Sequence, residues 1–588
     1  MNPALQIDGY KVDHRRQYPV LTEMVYSNFT PRKTRIQNID KIAFFGLQYF
    51  IKKYLIEDWK RDFFDRPRDE IVNEYRDKIN AYIGPNQITF EHIGYLHDLG
   101  YLPILIKAVP EGFMGDINVP LMTIRNTDPK CFWLVNYLET ILSACLWKPC
   151  TSATIAAKYR QTFEQFAEKT CDDNALVPFQ GHDFSFRGMS GLEDAMVSGA
   201  AHLLSFVGTD TIPAIDFLEK YYGADRYAEL VGCSVAATEH SVQCLNGAYN
   251  GRTYEGTEEE RLVKGEFELF ERLITETYPS GILSIVSDTW DFWGVVTEYL
   301  PALRGEIIKR HKKDGFSKVV IRPDSGDPYK IICGEYIRNY DDAVDIEELK
   351  EYVLEDVLEK VVEETPHGEC GPPQIVELVK WNGKHYNITI DIEWNRYDKQ
   401  YYYIEAGFSK VTNCAEVEVL PEQKGLIECL WDIFGGTINN KGYKVLNPAI
   451  GAIYGDSITL DIQRKILEGL ERNGFASNNM VFGIGSYTYQ YVTRDTFGFV
   501  MKATYGEVDG EGYNIHKTPK TGAWKTSHKG LMCLTEEGLK QECSWEEEAN
   551  GIYEEVFKDG QLLREQTLAE IRQTLMQNLI KNDKMGVA

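Results

Sequence analysis

Four short apolar runs end abruptly on polar tips: Leu283-Ser-Ile-Val-Ser-Asp288, Lys318-Val-Val-Ile-Arg-Pro-Asp324, Ala449-Ile-Gly-Ala-Ile-Tyr-Gly-Asp456 and Met480-Val-Phe-Gly-Ile-Gly485. Three carboxylates, Asp288, Asp324 and Asp456, converging on one mouth would suit a ligand with several hydroxyls or a hydrated divalent cation. The tip Arg322-Pro-Asp324-Ser-Gly326-Asp327 joins a guanidinium for anionic oxygen to carboxylates for vicinal hydroxyls, a combination that clamps a sugar phosphate. Taken singly, each tip reads first as a helix N-cap; taken together, they read as a ligand site. Gly483-Ile-Gly485-Ser486 offers backbone N–H groups to an anion at a helix start. It lacks the third glycine of a dinucleotide fingerprint, and no G-x-x-x-x-G-K-[ST] occurs.

Arg494, Lys502, Lys517, Lys520, Lys525 and Lys529 crowd into one stretch of a chain otherwise rich in carboxylates. Such a cluster suits a pyrophosphate, whose several charges need more than one cation; the alternative is a surface patch paired with Glu507, Asp509 and Glu511. His240, in Ala236-Ala-Thr-Glu-His-Ser241, can serve as a base or as a nucleophile toward phosphorus if a carboxylate orients it. A satisfied structural histidine is the plainer reading. With no H-E-x-x-H and no G-x-S-x-G, neither a zinc site nor a common serine hydrolase is indicated.

Strands must present these tips. Buried strands alternating with helix-like stretches such as Leu460–Asn473 imply a parallel α/β sheet or barrel, with chemistry at the strands' C-terminal ends. The first 150 residues mix an aromatic-rich helical stretch at 42–56 with a β-like one at 102–110. Residues 333–423 read as an insertion: 21 acidic and 8 basic residues give it a net −13. Its stretch 345–362 predicts a helix with an apolar face, and Asn382-Gly383 between alternating segments predicts a hairpin. A solvated or oligomer-contacting appendage is the expectation there.

The whole chain has 588 residues, with 63 basic against 89 acidic, a net −26. So negative a surface repels a phosphate backbone, which argues against nucleic-acid binding. Hydrophobic residues make up 43%, enough for a large core. No apolar run is long enough to span a membrane, and the N-terminal residues carry no secretory h-region. The 12 cysteines show no C-x-x-C pair and read as reduced thiols of a cytoplasmic protein.

At these motifs the sequence closely resembles the nicotinate/nicotinamide phosphoribosyltransferase family, on its nicotinamide-using side. The resemblance runs through Asp8-Gly-Tyr-Lys11, Phe45-Gly-Leu-Gln-Tyr49, Ile106-Lys-Ala-Val-Pro-Glu-Gly112, His182-Asp-Phe-Ser-Phe-Arg-Gly188, Gly208-Thr-Asp-Thr211, the His240 segment, Ser284-Ile-Val-Ser-Asp288, Ile321-Arg-Pro-Asp-Ser-Gly326, Gly455-Asp456 and Thr493-Arg-Asp495. It covers nearly everything outside 333–423. It implies transfer of phosphoribosyl from phosphoribosyl pyrophosphate to nicotinamide, giving nicotinamide mononucleotide and pyrophosphate in NAD salvage. Phe184 would stack on the pyridine, with Tyr10 of a partner subunit closing the sandwich. Asp210 would accept from the carboxamide and repel nicotinate.

Arg187, Ser284 and Arg322 match substrate and phosphate positions, and Asp324, Gly455 and Asp456 match ribose positions. Gly485 and Ser486 match the 5′-phosphate turn, where the family commonly has glycine at the place of Ser486. Arg494, Lys502, Lys517, Lys525 and, more loosely, Arg32 match phosphate and pyrophosphate cations. Mg2+ would assist, with Asp324 and Asp288 as candidate ligands. ATP would phosphorylate His240, oriented by Asp288. The implied fold is an α/β barrel-like domain (151–332 and 424–490) plus a β-rich α+β domain from residues 1–150 and 491–588, in a homodimer that shares its active sites. A nicotinate-preferring enzyme and an inactive nucleotide-binding scaffold are the alternatives.

Overall fold

The computed structural model describes residues 1–85, 89–364, 371–398, 401–404, 409–518 and 527–585. Along the chain come β1 (Thr22–Pro31), β2 (Ile104–Ala108), β3 (Met122–Asn126), α1 (Glu139–Thr170), β4 (Gly181–Asp183), β5 (Gly208–Thr209) and β6 (Ala236–Ala237). Next are α2 (His240–Gly251), α3 (Glu258–Arg272), β7 (Ile282–Val286), β8 (Lys318–Arg322) and α4 (Pro328–Cys333). Then follow β9 (Arg338–Asn339), α5 (Ile346–Glu364), β10 (Gln374–Trp381), β11 (Lys384–Asp391) and β12 (Lys410–Val417). The chain continues with β13 (Ile450–Tyr454), α6 (Leu460–Arg472), β14 (Met480–Ile484), α7 (Ser486–Tyr489), β15 (Phe499–Val508), β16 (Glu511–Asn514), β17 (Glu554–Lys558) and β18 (Gln561–Leu562).

Two large sheets set the architecture, and the chain is mixed α/β as its alternating pattern implies. One is antiparallel, in the order β16-β15-β1-β3-β2-β17-β18, built from N- and C-terminal segments together. Its core contains Val25, Phe29, Ile106, Ile124, Phe499 and Phe557, with Phe29 and Phe499 stacked at 5.1 Å. The other is the curled half-barrel sheet, in the order β5-β4-β14-β13-β8-β7-β6, whose β4–β5, β4–β14, β7–β8 and β8–β13 pairings are parallel.

By contacts the chain divides into two compact units. One comprises Met1–Ala236, Ile438–Val445 and Ile453–Ala588; the other comprises Ala237–Thr437 and Leu446–Ala452.

Residues 338–417 form a small module within the second unit. The sheet β9-β10-β11-β12 is covered by α5, whose Leu349, Val353, Val357 and Val361 are buried with Val379, Ile388 and Ile390. Asn382 and Gly383 both take positive φ (51° and 74°), the requirement of a two-residue hairpin turn. The expected helix at 42–56 needs correction. Lys41–Ala43 is a strand paired with Met114–Asp116, and the helix begins only at Leu47 after Gly46 turns at φ +104°. Among the described residues no helix is long and apolar enough to cross a membrane.

Candidate active site

In the first unit, parallel pairing sets the site. His182 lies opposite Gly208 and Asp183 opposite Thr209; on the other flank Gly483 lies opposite His182 and Ile484 opposite Asp183. Phe184, Asp210 and Gly485 therefore leave three neighbouring strands at one end. Backbone bonds extend the ladder by a residue: Asp210 N–H donates to Asp183 O at 2.9 Å, and Phe184 N–H to Ile484 O at 3.0 Å. An aromatic face and a carboxylate thus emerge side by side.

Two donors converge on Asp210 Oδ1. His182 Nε2 lies at 2.9 Å and Ser234 Oγ at 2.6 Å. The His182 ring also packs on Phe184, with centroids 4.9 Å apart. A Cβ on Gly483 would lie 2.3 Å from the Phe184 ring and 2.7 Å from Gly455 Cα, so glycine there lets the phenyl lie against backbone. Gly455 opens the turn that exposes Asp456, whose Oδ2 accepts from Ser457 Oγ at 3.1 Å.

A second turn meets this end of the sheet. Arg187 is exposed on the single helical turn Phe186–Gly188. A Cβ on Gly188 would lie 2.0 Å from Ser486 Oγ, so the missing side chain at 188 makes room for Ser486. Gly485 has open space where a Cβ would be, which leaves its backbone approachable. Buried Lys148 fixes both turns from below. Its Nζ donates to Tyr489 O at 2.6 Å and pairs with Asp194 at 3.4 Å, and Asp194 accepts Ser190 N–H at 2.9 Å. Burial lowers the Lys148 pKa, against the pull of Asp194.

The distal cations gather where β1 pairs with β15, Asn28 opposite Lys502. Crowding by protein, then the charge of Arg494, lowers the Arg32 pKa, with Asp495 opposing. Lys502 keeps an exposed surface, yet crowding lowers its pKa too; Arg32, Lys11 and Lys517 add to this, and Glu139 opposes it. Like charges therefore share one neighbourhood, and among the described residues Arg32, Lys502 and Lys517 make no ion pair. Glu507 and Glu511 instead accept from Tyr505, Trp545 and Tyr513. Lys520 and Lys525 lie outside the described residues. Tyr10 is 68% exposed, its ring edge-on to His14.

The second unit holds a separate constellation. His240 is the first residue of α2, half-exposed, with Nε2 3.3 Å from Oδ1 of buried Asp288. Asp288 Oδ2 accepts Asp324 N–H at 3.0 Å and Ser325 Oγ at 2.6 Å. One carboxylate thus ties the histidine to the Arg322–Gly326 tip. Arg322 donates to Thr238 O at 2.7 Å, while its Nε and the Ser284 Oγ are buried without a protein partner. Asp327 caps α4 through Tyr329 and Lys330 N–H, so the capping explanation of this tip belongs to Asp327. Among the described residues no three His, Cys, Asp or Glu side chains group to hold a metal.

Comparison with known proteins is decisive for the family. The sequence model of the nicotinate phosphoribosyltransferase (NAPRTase) family matches residues 179–360 and 413–561, more than half of the chain, and the model of the nicotinamide phosphoribosyltransferase N-terminal domain matches 2–105. The chain belongs to the nicotinate phosphoribosyltransferase family. It is accordingly a pentosyltransferase. The chain is 44% identical to the nicotinamide phosphoribosyltransferase of Acinetobacter baylyi over 98% of both chains. It is 30% identical to that of Mycoplasma pneumoniae over 90% of this chain and 94% of the other. The solved human nicotinic acid phosphoribosyltransferase aligns with a TM-score of 0.49 at 13% identity, covering 98% of this chain and 93% of that one.

For this family member, three residues at the clusters went unassigned in the sequence. His182 stands two residues before Phe184, on the same face of the strand. Lys11 is buried and donates to Asn136 O at 3.0 Å beside the cation group. Ser234 lies in a segment with no pattern to mark it.

Proposed function

We propose that this chain is a nicotinamide phosphoribosyltransferase of NAD salvage, joining nicotinamide to phosphoribosyl pyrophosphate with release of pyrophosphate. The supporting observation is Phe184 and Asp210 emerging from adjacent strands, the second held by His182 and Ser234. An aromatic face takes the flat pyridine, and a carboxylate accepts from the carboxamide NH2 while repelling the carboxylate of nicotinate. In the reaction the bond from the anomeric carbon to pyrophosphate oxygen breaks and the pyridine nitrogen bonds to that carbon. No protein nucleophile on carbon is needed.

Gly455 and Asp456 are assigned to the ribose hydroxyls, and Arg187 with the Gly485 and Ser486 N–H groups to the 5′-phosphate. Arg32, Arg494, Lys502 and Lys517 are assigned to the leaving group, with Lys525 as a further cation. A polyanion offsets their mutual repulsion by attracting each of them, which favours charge building on departing pyrophosphate. Ser284, Arg322 and Asp324 are assigned to substrate binding; the orphaned Ser284 Oγ and Arg322 Nε are donors fit for a ligand.

Mg2+ keeps several waters and binds through substrate phosphates plus one or two carboxylates. Asp324 would hold it, since Asp288 is already engaged; once bound, the ion neutralises phosphate charge. ATP is the co-substrate of a second reaction at His240. With Nε2 engaged by Asp288, Nδ1 attacks the γ-phosphorus, the N–P bond forms, and ADP leaves. The start of α2 favours the added negative charge. Exposed Tyr10 is assigned to a partner subunit's pyridine site in a homodimer.

One assay tests this reading: enzyme, phosphoribosyl pyrophosphate, Mg2+ and either pyridine, with and without ATP, the nucleotide identified by chromatography. Nicotinamide mononucleotide should dominate and rise with ATP. His240→Ala should keep a slow ATP-independent transfer but lose the stimulation. Dominant nicotinate mononucleotide would overturn the amide assignment, and unchanged ATP stimulation in His240→Ala would remove the phosphohistidine.

A further inference from the structure

We infer that His182 sets the amide specificity of the pyridine pocket by holding Asp210 in one orientation, an inference that rests on Asp210 being the carboxamide acceptor. The Asp210 side chain is 49% exposed at a strand end, where a carboxylate alone would rotate and be hydrated. His182 opposes both. Its side chain is only 12% exposed, and its ring is held from two sides. On one side is the Phe184 ring; on the other is the β5 backbone at Gly208, where a Cβ would lie 2.8 Å from His182 Nδ1. The absence of a side chain at 208 is what admits the imidazole.

From that slot Nε2–H donates to Asp210 Oδ1 at 2.9 Å. Ser234 Oγ reaches the same oxygen at 2.6 Å from a separate segment. Two donors on Oδ1, reaching it from separate segments, restrain rotation of the carboxylate. A fixed acceptor discriminates between an amide that donates and an acid that does not; a rotating, hydrated one loses that contrast. His182 also packs on the ring assigned to stack the pyridine, so stacking face and acceptor are set by one side chain. It acts through Asp210 and Phe184, as a positioning residue.

The test compares His182→Phe, which keeps a ring without the donor, His182→Gln, which restores an N–H near Nε2, and Ser234→Ala on the exposed segment. KM and kcat are measured for nicotinamide, nicotinate and phosphoribosyl pyrophosphate, alone and combined with Asp210→Ser. His182→Phe should raise KM for nicotinamide about tenfold and lower the amide-to-acid ratio of kcat/KM as much, with KM for phosphoribosyl pyrophosphate within about twofold. His182→Gln should recover most of the loss, and Ser234→Ala should cost about threefold. With Asp210→Ser in place, His182→Phe should change the ratio no further. Equal KM increases for both substrates, or an undiminished effect in the Asp210→Ser background, would overturn the positioning role. If Asp210→Ser shifts the ratio and His182→Phe does not, the inference falls while the assignment of Asp210 stands. If Asp210→Ser leaves the ratio untouched, that assignment falls and the inference with it.

Discussion

Glu266 on α3 shows how a single side chain's environment can write a pH dependence. It is buried, its Oε1 has no geometric hydrogen-bond partner among the described residues, and its Oε2 meets the Tyr299 hydroxyl at a long 3.5 Å. Burial pushes its pKa up to about 8; Asp288 and Asp291 push the same way, and hydrogen bonds from Tyr299 and Thr289 oppose them. Below the ordinary carboxyl range both folded and unfolded chains hold this proton. Between there and about 8 only the folded chain does, so stability falls as pH rises through that window and then levels off. Glu266→Gln removes the titration. Its advantage over the natural chain in thermal melts should grow from pH 5 to about 8 and plateau above, reaching the order of a few kcal/mol. A pH-independent gap would mean that Glu266 is already ionised near neutrality. No motif marks Glu266, because its chemistry comes from burial, which one sequence does not display. Asp288 and Asp324 were legible because they punctuate apolar runs, whereas Ser234 was not, because its partner lies 24 positions away on another strand end.

Turns and strands carry the next level of argument. The four apolar runs read from the sequence are β7, β8, β13 and β14, and the intervening helix is α6; a buried parallel strand has few ways to look other than short and apolar. Strands β4, β5 and β6, of two or three residues, are too short to show a period. The β1–β15 pairing joins segments more than 450 residues apart, which no local pattern reveals. The turn pair at Gly188 and Ser486 yields a prediction of its own. The atoms that a Cβ at 188 would strike, at 2.0 and 2.4 Å, both belong to the Ser486 side chain, and the next nearest is Ser486 Cα at 3.9 Å. Gly188→Ala should therefore displace the Ser486 turn and raise KM for phosphoribosyl pyrophosphate about tenfold or more. Adding Ser486→Gly removes the obstruction and should return KM to within about threefold of the natural enzyme. Steady-state kinetics on the single and double variants decides it; a double variant as impaired as Gly188→Ala would show that the glycine is needed for something other than space.

On the scale of the whole molecule, charge and core divide the acidic appendage from the rest. Its net −13 is half of the chain's −26, while Arg32, Lys502 and Lys517, which make no ion pair among the described residues, belong to the cation group near β1 and β15. The module has a hydrophobic cluster made only of its own residues, from Tyr340 to Ile392 with neighbours up to Cys414. The family's sequence model passes from 360 to 413 without matching what lies between. Entry and exit meet at a backbone crossing: Glu335 N–H donates to Gln423 O at 2.9 Å, and a Cβ on Gly334 would lie 2.2 Å from that oxygen. Both Gly334 and Gly425 take positive φ there. Ends so close can be rejoined by a few residues at little entropic cost. Replacing 337–419 with a short glycine-serine link should leave kcat/KM for nicotinamide within about threefold and the melting of the remainder cooperative. It should also make the protein markedly less acidic on an isoelectric gel. A loss of tenfold or more with folding intact would show that the appendage takes part in catalysis or assembly. Intact activity with weakened self-association, read by sedimentation, would assign it to contacts between copies.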